Sequence, residues 1–245
     1  MSLVRGQPSP TLLILCVTFD SALNFNSHVT EICKSANFHL RALAHIRQFL
    51  TVSSANLIAC SIVASRLDYC NSILTGISSY NLNRLQCVQN RAARIVLGVG
   101  RRASAAPLLR QLHWLPVLKR MQYKTALITY KTLYCHEPEY LSSLLCPYNP
   151  PRTLRSSSGN LLTVPRVTSV FQSRAFSVEA PRLWNSLPAP LRALADLSPS
   201  FSGSCSLNVP SLPASICISQ SVPPHLLTFK RLLKTYLFDA PSLAG

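Results

Sequence analysis

The sequence predicts a mainly α protein with a short N-terminal β segment and an irregular, Pro/Ser-rich C-terminal part. Three observations carry this. From about Ser27 to Cys135 apolar residues recur at three- and four-residue steps, the period of helices with one buried face. One β-prone run, Leu12 to Asp20, precedes them. After Pro138, prolines and serines interrupt every pattern.

The elements follow in order. Residues 1–27 hold a Pro-containing leader, the run Leu12 to Asp20, a turn and Leu23-Asn24-Phe25, which together make one strand or a hairpin. The first helix carries Ile32, Ala36, Leu40, Leu43 and Ile46. Thr51 to Ser54 end it and offer hydroxyls to cap the next. The second helix carries Leu57, Ile58, Ile62, Leu67 and Leu74 and stops at Gly76. A third starts at Ser78 to Asn81, carries Leu85, Val88, Ala92 and Val96, and ends near Gly98. Pro116 suits the first turn of a fourth, which bears Val117, Met121, Ala126 and Tyr130 and runs to about Cys135. Residues 28–136 are therefore one helical domain.

Residues 137–196 form an irregular and helical tail. A short helix is expected at Tyr140 to Leu145 and a strand at Leu161 to Val164. Two short helices are expected over Phe176 to Leu194, broken at Leu187-Pro188. Residues 197–225 are rich in Ser and Pro, lack Lys and Arg, and are expected to be a flexible insert. A last amphipathic helix, within 226–245, carries Lys230, Arg231 and Lys234. It suits docking on the helical core better than lying on a membrane.

Charge narrows the function classes. The 245 residues hold 24 Lys and Arg against 8 Asp and Glu, a net charge of +16. Such a surplus repels itself unless anions balance it, and the usual partners are nucleic acids or anionic membranes. The longest apolar run near the N-terminus, Leu12 to Val17, is too short to span a bilayer, so an intracellular protein is expected, nuclear or cytoplasmic. Nine cysteines in that setting imply reduced, mostly buried thiols.

Between Asp68 and Glu137 no acidic residue occurs, and ten basic residues stand there. Arg84, Arg91 and Arg94 are spaced to share one helix face, and Arg120, Lys124 and Lys131 mark a second stripe. With Arg101, Arg102 and Lys119 they are the candidate nucleic-acid contacts; Arg110 lies among them. Gln86, Gln89, Asn90, Trp114, Gln122 and Tyr123 are interleaved, offering amides and rings to sugars and bases. The competing reading is a cationic helix surface that only meets water.

Several phrases, in order, resemble the region after the palm of LINE-type, jockey-like non-LTR retrotransposon reverse transcriptases. They include Leu15-Cys16-Val17-Thr18-Phe19-Asp20, Ser65-Arg66-Leu67-Asp68-Tyr69-Cys70-Asn71 and Leu82-Asn83-Arg84-Leu85-Gln86. Further on come Leu112-His113-Trp114-Leu115-Pro116-Val117, Ala180-Pro181-Arg182-Leu183-Trp184-Asn185-Ser186-Leu187-Pro188 and Phe229-Lys230-Arg231-Leu232-Leu233-Lys234. The likeness covers nearly the whole chain from about residue 12. It implies a helical thumb-like bundle and tail that grips an RNA/DNA duplex beside an RNA-directed DNA polymerase. It also implies a palm domain as a structural partner, absent from this stretch. The family's polymerase chemistry uses paired aspartates that hold two metal ions. Asp20, Asp68, Asp196 and Asp239 stand far apart and no Asp-Asp occurs, so no enzyme, catalytic residue, metal or cofactor is expected.

Departures from the family pattern are plain. Cys16 stands where the family usually has Gly, and Cys resists positive φ. The Ser/Pro insert separates two phrases that are neighbours in the family. Met1 falls at the palm–thumb junction. Together these suggest a truncated remnant of a transposable element. The alternative is a non-catalytic structural or interaction protein, or a relic without function, whose apolar faces are left uncovered. Other chemistry finds little support. Cys33, His39 and His45 are spaced around a helix rather than stacked, so zinc is not expected. Gly203-Ser204-Cys205-Ser206-Leu207 lacks the closing Gly of a nucleophile elbow. Trp114 and Trp184 beside prolines are expected to anchor the core. Asp68 is expected to pair locally with Arg66.

Overall fold

A computed structural model describes residues 11–150, 160–195 and 224–239. The fold is mainly α, with one two-stranded antiparallel sheet. Strands β1 (Thr11–Ile14) and β2 (Val17–Asp20) pair with Ile14 opposite Val17. Leu15 and Cys16 form the two-residue turn, and both have positive φ, 46° and 60°. A tight turn of this kind matches the strand twist and normally carries Gly or Asn.

Ten α-helices follow among the described residues: α1 (Asn26–Ile46), α2 (Val52–Ile58), α3 (Ser65–Asp68), α4 (Ser79–Leu97), α5 (Ala105–Gln111), α6 (Val117–Tyr134), α7 (Glu139–Ser142), α8 (Phe176–Ser186), α9 (Ala189–Arg192) and α10 (Pro224–Asp239). A π-helical segment, Ala59–Ala64, joins α2 to α3 in one continuous run. Local signals set the boundaries. The Asn24 side chain accepts the backbone N–H of Asn26 at 2.9 Å and starts α1. Thr51 and Ser78 accept from Ser54 and Asn81 and cap α2 and α4. Gly98, at φ 67°, ends α4; its N–H reaches the Ile95 carbonyl and that of Val99 reaches Arg94. This left-handed ending satisfies the last carbonyls of the helix.

The described chain divides into two compact units. The first takes the residues up to Thr125 together with Val167–Ala175; the second takes Ala126–Arg166 and the chain from Phe176 onward. The division falls inside α6. The reason is packing: Val117 and Met121 of α6 join the core of the first unit, while Tyr130 is enclosed by aromatic residues of the second.

In the first unit, Val29, Cys33, Ala36, Leu40 and Leu43 of α1 meet Leu85, Val88, Ala92 and Val96 of α4. Small residues on both sides let the two helices lie close. Asn81 reaches Asn26, Arg84 reaches Thr30 and Arg91 reaches Asn37, so α1 and α4 run side by side in the same direction. Trp114 is buried beneath them, as expected of an anchor.

In the second unit, Tyr130 stacks on Phe229 of α10 with ring centres 4.0 Å apart, and Trp184 of α8 closes the box at 6.4 and 6.0 Å. The Trp184 indole donates to the Asn160 carbonyl at 2.8 Å. Leu226, Phe229, Leu233 and Leu237 form the buried stripe of α10, which starts at Pro224 and so takes in the last two residues assigned to the insert. Residues 197–223, the rest of that insert, lie outside the described residues. The expected strand at Leu161 to Val164 is reduced to a bridge, with Leu162 opposite Pro147.

Seven described cysteines are free, and Cys33 alone among them is buried. The expectation of mostly buried thiols fails because Cys16, Cys87 and Cys146 sit at a turn tip, on an outer helix face and in extended chain. Among the described residues no helix is long and apolar enough to cross a membrane.

Candidate nucleic-acid interface

The nine basic residues singled out by the sequence fall into three groups. The first lies on and after α4. Arg84 donates to Thr30 at 3.0 Å and stands over the Tyr80 ring at 5.6 Å. Arg91 donates from Nη1 to Asn37 Oδ1 at 3.0 Å, and Arg94 from Nε to the Ala103 carbonyl at 2.9 Å. Arg101 and Arg102 follow Gly100 and are exposed. Arg91, Arg94 and Arg101 line one opening, while Arg84 lies near the start of α4; the three on α4 are held in place by neutral oxygens. Their positive charge is therefore oriented without being cancelled.

The second group is drawn into the fold. Arg120 grips both carboxylate oxygens of Asp68, Nε to Oδ1 at 2.7 Å and Nη2 to Oδ2. Lys124 donates to the Asp68 carbonyl at 3.0 Å. Arg66, the partner expected for Asp68, instead donates to Ser35 at 3.0 Å and to the Ile62 carbonyl. Helical spacing explains the exchange: α3 ends at Asp68, and the side chain turns toward α6 rather than back along its own helix. Lys119 is buried, only 6% exposed, and burial lowers its pKa. Lys119 is withdrawn by burial and Arg120 has its charge met by Asp68, whereas Lys124, half-buried like Arg91 and Arg94, is held by a neutral carbonyl. Lys131, the ninth, belongs to the second unit and is half-buried.

The interleaved amides are also drawn inward. Gln89 is buried and donates to the Leu115 carbonyl at 2.8 Å. Gln86 accepts the backbone N–H of Val117 at 2.9 Å, which caps the start of α6. Gln86 also donates to Asn90 at 2.8 Å. Amides four residues apart on a helix read equally well as base contacts or as caps, and only the position of the Leu115-Pro116-Val117 turn decides between them.

Residues missed by the sequence pattern also shape this face. Arg47 donates from Nε to the carbonyls of Ile95 and Val96 at 3.0 Å, placing a cation on the C-terminus of α4. Arg174 donates to the carbonyls of Leu23 at 2.9 Å and Thr75 at 3.0 Å and covers the Phe25 ring at 5.2 Å. Its pKa is lowered by burial and raised in part by Asp20. Nothing local in the sequence marks either arginine, because their partners lie 48 and 151 residues away. Among the described residues two ion pairs form, Arg120–Asp68 and Arg182–Glu179. No group of three or more His, Cys, Asp or Glu among them is arranged to hold a metal ion.

No protein-family model, no curated protein and no solved structure matches this chain.

Proposed function

We propose that this chain is a thumb-and-tail remnant of a LINE-type reverse transcriptase that binds an RNA/DNA duplex without catalysing polymerisation. The observation that supports it most is the set of arginines on and after α4, of which Arg91, Arg94 and Arg101 line one opening. Its fixed arginines are braced by amide, hydroxyl and carbonyl oxygens, so the positive potential stays available to phosphates. An ordinary solvated helix face mixes charges of both signs, and the sequence supplies no acid here between Asp68 and Glu137. The mainly α fold and the ordered motifs agree with the proposed ancestry.

Duplex binding is tested by anisotropy of a labelled RNA/DNA hybrid at increasing salt. Four phosphate contacts give about a hundredfold loss of affinity between about 50 and 200 mM salt. An affinity that stays flat over that range overturns the proposal. Primer extension with added magnesium is expected to yield no product.

A second reading rests on the exposed apolar residues of the hairpin. Leu12, Leu13 and Leu15 are 61, 68 and 79% exposed, in the manner of a surface that meets another protein. A structural or interaction protein predicts a monodisperse species in size-exclusion chromatography with no duplex affinity. A relic predicts soluble aggregate.

A further inference from the structure

A cleft of about 460 Å³ opens between α1 and the C-terminal part of α4, lined by Ala44, Arg91, Arg94, Ile95, Val99 and Arg101. We propose that this cleft is a phosphate site, which takes one phosphate with its attached sugar from a nucleic-acid strand. The inference rests on the duplex-binding reading and gives it a seat.

Three features carry it. Three guanidinium groups converge on one opening, and none of the lining residues is acidic. The acid of α1, Glu31, precedes Ala44 by 13 residues, about 20 Å along the helix, and precedes Asn37, the partner of Arg91, by six, about 9 Å. Guanidinium groups gathered with no acid on the lining favour an anion, and a phosphate offers their forked donors several oxygens at once. The second feature is preorganisation. Asn37 fixes Arg91 and the Ala103 carbonyl fixes Arg94, and each bond engages one nitrogen of a guanidinium that has five N–H donors. Free donors remain in a planar fork that matches phosphate oxygens. The third is the apolar wall of Ala44, Ile95 and Val99. A bare inorganic anion has no use for it, whereas a sugar or base edge covers it. The volume lies in the range of small-ligand pockets and suits a single nucleotide unit.

Three variants of the full chain test this. Arg101→Glu reverses a charge in the cleft at a residue that makes no hydrogen bond or ion pair among the described residues. Arg110→Glu makes the same change at an exposed position outside the cleft. Ala44→Leu narrows the cleft and leaves the charge intact. In hybrid binding, R101E is expected to lose about tenfold more affinity than R110E, a difference of about 1.4 kcal/mol. A44L is expected to lose about threefold with an unchanged salt slope. Equal losses in R101E and R110E, or wild-type affinity in A44L, overturn the cleft and leave general duplex binding standing. If the wild-type chain binds no hybrid, the duplex reading fails, and calorimetry with inorganic pyrophosphate judges the cleft by itself. Saturable binding that disappears in R101E supports an anion site for a free phosphate compound; no binding overturns it.

Discussion

The two units hold themselves together by different means. In the first, α1 and α4 pack through Ala36, Ala92, Ala93 and modest aliphatic residues, and the rims of that layer are stitched by polar side chains: Arg84 to Thr30, Arg91 to Asn37, Arg47 to Ile95 and Val96. In the second, a box of three large rings, Tyr130, Trp184 and Phe229, all essentially buried, is tied in by polar groups of the rings themselves: Tyr130 to His225 and the Trp184 indole to the Asn160 carbonyl. The difference teaches where a strongly basic chain places its cations. Where Ala36, Ala92 and Ala93 let α1 and α4 lie close, long side chains at the rim reach the neighbouring helix, so arginines serve as braces. The aromatic box draws its energy from apolar area and is braced by the polar atoms of its own rings instead of by arginines.

The contrast is broken most forcefully at the aromatic box. Phe229→Ala removes the ring stacked on Tyr130 and is expected to destabilise the second unit by about 3–5 kcal/mol. Hydrogen exchange should rise in α8 and α10 while α1 and α4 stay protected. Equal loss of protection in both units would merge them into one cooperative block. Tyr130, whose hydroxyl pKa burial pushes up to about 12, serves as the probe: its ionisation should move toward the normal tyrosine range in the variant.

The next effect belongs to the braces. Arg174→Ala removes two charge-assisted bonds to backbone carbonyls and is expected to lower stability by about 2–3 kcal/mol in denaturant titration. Gly76→Ala probes the same spot, since a Cβ there meets Arg174 Cγ at 2.8 Å and the glycine has φ 72°. A loss under about 0.5 kcal/mol in R174A would make the bracing decorative.

A smaller effect depends on pH. His28 is buried and its pKa lies below the usual histidine value because burial disfavours the charged ring; its Nδ1 faces the backbone N–H of Thr18 at 3.4 Å. The unfolded chain then binds more protons than the folded one at pH values below about 6.5. Stability is fully present above that value and falls as the solution is acidified through the folded pKa. His28→Asn keeps an acceptor near Thr18 and cannot titrate, so its unfolding midpoint should lose this share of the acid sensitivity between about pH 7 and 5. An unchanged pH profile would remove His28 as its source.

The smallest is at the hairpin. Leu15 and Cys16 hold positive φ at a cost of about 1 kcal/mol each. Cys16→Gly is expected to raise stability by somewhat under 1 kcal/mol, since glycine also gains freedom in the unfolded chain. Thermal unfolding checks it, and a lower midpoint would show that the thiol has a packing role.

Particular residues show how far the sequence could be read. The helices were legible because Val29, Cys33, Ala36, Leu40 and Leu43 repeat at the period of a buried face, and because Thr51, Ser78, Gly98 and Pro116 punctuate that repeat. At Cys16 the resistance of a Cys to positive φ was legible from the residue type, yet the two-residue turn holds it at φ 60°. The basic stripe was legible as charge and not as geometry. Lys119, Arg120 and Lys124 read as cations of the same basic stretch as Arg91 and Arg94, yet Lys119 is buried and the other two bond to Asp68. Asp68, 52 residues before Arg120, takes Arg120 through its carboxylate and Lys124 through its backbone carbonyl.

By itself the sequence determined the mainly α class, the sites where helices start and stop, the anchoring of Trp114 and Trp184, and the surplus of positive charge. Each of these depends on neighbours within a turn or two, or on composition alone. Tertiary structure decided which cations are presented and which are absorbed, that α1 and α4 lie alongside each other in parallel, and that α6 gives its two halves to two cores. Those outcomes depend on long-range encounters, Arg47 with the end of α4 and Tyr130 with Phe229, whose energies no local pattern encodes.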